Sequence, residues 1–122
     1  MNLNDIIDRF TLVSGLEMRD ASRYLPIIID CKTYIEERLT AELSPAQQKR
    51  AAHACAVYAY YKLCMTLRDG DFDYFKAGEL QLSSKDAADI RISAEHLWDE
   101  ERRNIADIAD FDGGFAFRSV RI

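Results

Sequence analysis

The chain has 122 residues, of which 48% are hydrophobic and 30% charged, with a formal net charge of −5. This is the size and mix of one globular domain, and 2 Pro and 5 Gly argue against a loop-dominated chain. The acidic balance argues against a DNA-gripping surface, which needs clustered Lys and Arg; the nearest candidate, "KRAAH" at residues 49–53, is too short.

The opening "MNLNDIIDRF" has no basic region followed by an apolar run, so no signal peptide is expected. No run of about 18 apolar residues occurs, so no membrane span is expected. Cys31, Cys55 and Cys64 are an odd set on predicted helices, which reads as reduced intracellular thiols.

The first predicted helix covers residues 4–13. Ile6, Ile7, Phe10 and Val13 recur at steps of three and four and form one apolar face. Ser14-Gly15 ends it, since Gly enters the left-handed conformation at low cost.

The second segment is predicted over residues 18–43, with a stripe of Leu25, Ile28, Cys31, Ile35 and Leu39. Pro26 has no N–H and crowds the carbonyl of Ser22. The segment therefore either kinks there or divides into a short turn at residues 20–24 and a helix from Leu25.

The third helix starts cleanly. Ser44 is a cap and Pro45 suits the first helical position. It is predicted to run to about Arg68, closed by Gly70. Its middle, "AAHACAVYAYY" at residues 51–61, is apolar on nearly every side, the mark of a helix central to its bundle. The alanines permit close approach, while Tyr58, Tyr60 and Tyr61 add bulk with a polar tip.

The stretch at residues 75–84, "FKAGELQLSS", then alternates apolar and polar side chains, a strand signal. The fourth helix follows. Ser84 is its predicted cap, and its stripe is Ala87, Ile90, Ala94, Leu97, Trp98, Ile105 and Ile108. "FDGG" at residues 111–114 breaks it, and "FAFRSVRI" at residues 115–122 reads as a second strand. The expected fold class is mainly α: a small bundle of about four helices, a short β-strand between the last two long helices, and a final β-strand or arm, all in one domain.

Motifs with chemical potential are few. Cys55 and Cys64 lie nine apart near His53, without the convergent spacing a zinc site needs; small core thiols are the plainer reading. "DGDFD" at residues 69–73 imitates the start of a calcium loop, but Tyr74 stands where Gly is required and Leu80 where Glu is required. His53 and His96 lie on helices, away from the loops where a catalytic pair usually assembles. Glu101 falls on the inward stripe and is either a functional carboxylate or, as the plainer reading, a residue at the edge of the core that snorkels or pairs with a Lys or Arg such as Lys49 or Lys62. No enzyme activity, cofactor or metal is expected.

The two extended segments remain. A lone strand leaves its N–H and C=O groups unpaired. The segments either form an internal ribbon or pair with another chain, and head-to-tail pairing of that kind generates rings when the rotation closes.

The succession "SRYLPIIIDCKTYIEERL", "AAHACAVYAYYKL", "FKAGELQLS" and a long closing helix resembles the tailed-phage head–tail connector family, the small helical head-completion or portal-adaptor proteins. The resemblance covers roughly residues 22–108. It implies a structural virion protein of a phage or prophage, located in the virion and, during assembly, in the cytoplasm of the bacterial host. It implies a homo-oligomeric ring between portal and tail-completion proteins, extending a channel through which DNA passes without sequence-specific contact. On this reading the assembly surface comprises Phe75, Lys76, Gly78, Leu80 and Leu82, with Phe115, Phe117, Arg118 and Val120 on an arm that orders when it docks. The rival reading keeps the helices, makes the strand pair internal, and gives a small dimeric interaction or regulatory module.

Overall fold

The computed structural model describes residues 1–67 and 87–111. Its elements are α1 (Leu3–Ser14), the single turn α2 (Met18–Ala21), a 3-10 turn (Ser22–Tyr24), α3 (Leu25–Glu36), α4 (Pro45–Thr66) and α5 (Ala87–Asn104). No helix among the described residues is long and apolar enough to cross a membrane.

Local chemistry explains most of the boundaries. The Asn2 side chain accepts from the Asn4 N–H at 2.8 Å and opens α1. Gly15 closes it at φ +77, and its N–H donates to the Thr11 carbonyl. Pro26 resolves as a division, with a separate turn before a helix beginning at Leu25. Ser44 and Gln47 form a reciprocal capping box at the start of α4, at 3.2 and 2.9 Å.

Two boundaries depart from expectation. The second segment stops at Glu36, well short of residue 43. Arg38 folds back, donates to the Tyr34 carbonyl at 2.9 Å and lies 3.6 Å over the Tyr34 ring. Leu39 then leaves the helical stripe for an antiparallel bridge with Ala109, in which Thr40 N–H donates to Ile108 O and Asp110 N–H to Arg38 O. Likewise α5 ends at Asn104; Ile105, Ile108 and Ala109 are buried from the turns that follow it. Among the described residues this bridge is the one strand-like pairing. The strand expected at residues 75–82, the arm at residues 115–122, the Ser84 cap and the "DGDFD" turn all lie outside the described residues.

Helix α4 is the hub, packing against α1, α3 and α5. Ala51, Ala52, Ala54, Ala56 and Ala59 are all buried along it, so three neighbours approach one short-side-chain helix from different directions. Ile6 and Phe10 of α1, Ile28 and Ile35 of α3, and Ile90, Ala94 and Trp98 of α5 complete one contiguous apolar cluster. Helices α4 and α5 run antiparallel. Arg91 near the start of α5 reaches the end of α4, and Arg50 near the start of α4 reaches the end of α5.

Candidate functional site

The expected assembly residues Phe75, Lys76, Gly78, Leu80, Leu82, Phe115, Phe117, Arg118 and Val120 all lie outside the described residues. What the structure supplies is the attachment of both segments to the body.

The end of α4 and the start of α5 are strapped together. Arg91 donates through Nε to the Cys64 carbonyl at 3.2 Å and through Nη2 to the Leu67 carbonyl at 2.8 Å. Cys64 is in the last turn of α4 and Leu67 is its C-cap, where carbonyls lack a helical partner. Residues 67 and 87 are thereby rooted in one framework.

The second attachment lies beyond α5. Arg50 donates to both Asp107 carboxylate oxygens, at 2.7 and 3.3 Å, and to the Asn104 carbonyl at 2.6 Å. The bridge at Leu39 and Ala109 continues the fastening. Phe111 then enters an aromatic nest, edge-on to Trp98 at 5.5 Å and stacked on Tyr34 at 6.2 Å. Tyr58 joins Tyr34 and Trp98 at centroid distances of 4.7 and 4.5 Å. Edge-on and offset contacts of this kind suit the ring quadrupole and add to simple area burial. The mutual hydrogen bonding holds the Asp107 carboxyl below its ordinary value and raises Arg50.

The three thiols are buried and free. Burial pushes Cys31 and Cys55 up to about 12 and Cys64 to about 11. All three stay protonated near neutrality, the form that neither attacks nor ligates. Cys55 Sγ sits 3.7 Å from Met1 Sδ, a packing contact. Among the described residues no three His, Cys, Asp or Glu side chains gather to hold a metal.

One cleft lined by charged side chains spans three helices. Arg9 of α1, Lys49, Arg50 and His53 of α4, and Glu101 of α5 line a cleft of about 310 Å³. Glu101 is half-buried there and accepts a long contact from Asn104 at 3.4 Å. Among the described residues it forms no ion pair with Lys49 or Lys62, and its half-buried place fits the core-edge alternative rather than the paired one. His96 is exposed on α5.

Sequence reasoning passed over two groups. The "KRAAH" stretch is short as a DNA patch, but Lys49 and His53 are four apart and share a helix face, which Arg9 meets from α1. Phe111 read only as part of a helix-breaking turn; it lies far from Tyr34 of α3 in sequence, and no local signal pairs the two. Comparison of the chain with protein-family models, curated proteins and solved structures gives no match.

Proposed function

We propose that this chain is a non-enzymatic structural protein of a tailed phage or prophage, a head–tail connector that assembles head-to-tail into a ring around a DNA channel. The observation that carries the reading is the separate rooting of the two segments expected to form strands. Residues 68–86 leave and rejoin the body at the Arg91 strap. Residues 112–122 begin at Phe111 against Trp98, eleven residues along α5 from Ala87, a separation of about 16 Å at 1.5 Å per residue. Two roots separated along one helix are compatible with a heterologous contact, in which one segment of each copy meets the other segment of its neighbour.

Resemblance in the order of elements supports the phage assignment. The acidic net charge suits a channel wall that must not hold the passing duplex. The test is sedimentation of the full chain and of a chain lacking residues 115–122, both at high protein concentration. The expected result is higher-order species from the full chain, and a monomer with unchanged helical circular dichroism from the shortened one. A shortened chain that still forms rings overturns the arm's role, and a full chain that stops at a dimer favours the interaction-module reading.

A further inference from the structure

We propose that the cleft between α1 and α5 is a subsite for one small oxyanion, a phosphate or a carboxylate group, held by Arg9 and Lys49 beside His53. The chain carries a net charge of −5, so a concave surface with three converging cations runs against the background charge. The cations come from two helices that meet across α1 and α4, with the far wall supplied by α5. Arg50 is already neutralised by Asp107 and fixed by the Asn104 carbonyl, so it acts as a rigid wall. Arg9 and Lys49 differ: among the described residues neither is ion-paired.

His53 borders the same cleft. His53 Nδ1 is buried and has no hydrogen-bond partner among the described residues. Its accessible atoms, not Nδ1, border the cleft, so the ring serves as a wall and the two free cations carry the binding. The volume of about 310 Å³ accommodates a phosphate or carboxylate group with its water. Glu101 on the opposite wall limits the site to a single anionic group and opposes its binding.

That opposition supplies a sign-specific test. The full chain is titrated with inorganic phosphate and, in a second arm, with acetate, chloride holding the ionic strength constant. Amide NMR shifts are read at Arg9, Lys49 and His53. Saturating shifts confined to these residues are expected, weakened several-fold by Lys49→Ala. Glu101→Gln is expected to tighten binding roughly 2- to 5-fold, the effect of removing one nearby surface charge. Lys49 is exposed on its helix, so its truncation leaves the fold intact, checked by circular dichroism. Saturation by phosphate alone assigns a phosphate-bearing ligand, and saturation by acetate assigns an acidic side chain or chain terminus. Linear shifts with both probes, or affinities unmoved by both substitutions, overturn the proposal.

Discussion

At Cys31, Cys55 and Cys64 the chemistry of single residues is decided by burial. Each thiol is pushed well above its ordinary value of 9.0 by desolvation. Because the folded value is raised, the stabilising contribution is complete below pH 9 and is lost as the pH climbs toward 11–12, where the unfolded chain is already ionised. The melting temperature is therefore expected to hold between pH 7 and 9 and fall above it, in a pH-resolved thermal scan. In the same spirit, a thiol reagent at pH 8 should leave the native protein unmodified over minutes and label all 3 cysteines once denaturant is added. Rapid labelling of the native chain would contradict the packing described. Asp107 has the opposite sign. Its folded value is depressed by Arg50, so the fastening it provides is present above the ordinary carboxylate range and is lost as the pH falls below it. Trp98 is the sole tryptophan and touches Phe111. Its emission reports directly on that release, and acidification or Arg50→Ala should shift it toward the spectrum of Phe111→Ala.

Between elements, the hub helix carries the argument. Ala54 and Ala59 have no exposed surface, and their small side chains set how closely neighbours approach. Ala59→Leu forces overpacking and is expected to cost about 1–3 kcal/mol in denaturant melts. Ile28→Ala on α3 leaves a cavity at a fully buried site and should cost about 2–5 kcal/mol. Loss of the capping box in Ser44→Ala should cost about 1 kcal/mol. These features are legible in the sequence itself. The alanine run announced a helix surrounded on all sides, and Ser44, Pro45, Gly15 and Pro26 each announced a boundary through their own backbone chemistry. The ends of α3 and α5 were not legible, because there the apolar period continues through Leu39, Ile105 and Ile108 while the backbone turns. Their burial satisfies the same core from a non-helical path. What redirects that path is a pair of long-range hydrogen bonds between residues 38–40 and 108–110, and pairings across some 70 residues leave no local trace. The cleft was hidden for a similar reason. Arg9, Lys49 and Glu101 become neighbours only through the packing of α1 and α5 on α4.

For the whole molecule, the head-to-tail reading makes a claim about symmetry that a mixture can test. In a heterologous ring each copy offers two different patches, here the segment with Leu80 and Leu82 and the segment with Phe115 and Phe117. A Leu80→Asp, Leu82→Asp variant lacks the first patch, and a Phe115→Asp, Phe117→Asp variant lacks the second. Each alone should remain a monomer, since charges placed on an apolar contact face oppose its burial. Mixed in equal amounts, the intact patch of one meets the intact patch of the other once and no further contact is left. The mixture should therefore stop at a one-to-one dimer in native mass spectrometry, whatever the concentration. An isologous dimer uses the same patch on both partners, so a mixture of its two broken forms regains nothing. An internal ribbon gives a third outcome, in which both variants lose stability and neither restores the other. The arrested dimer is the signature that separates a ring-former from a paired module, and it rests on the two segments having separate attachments, at Arg91 and at Phe111.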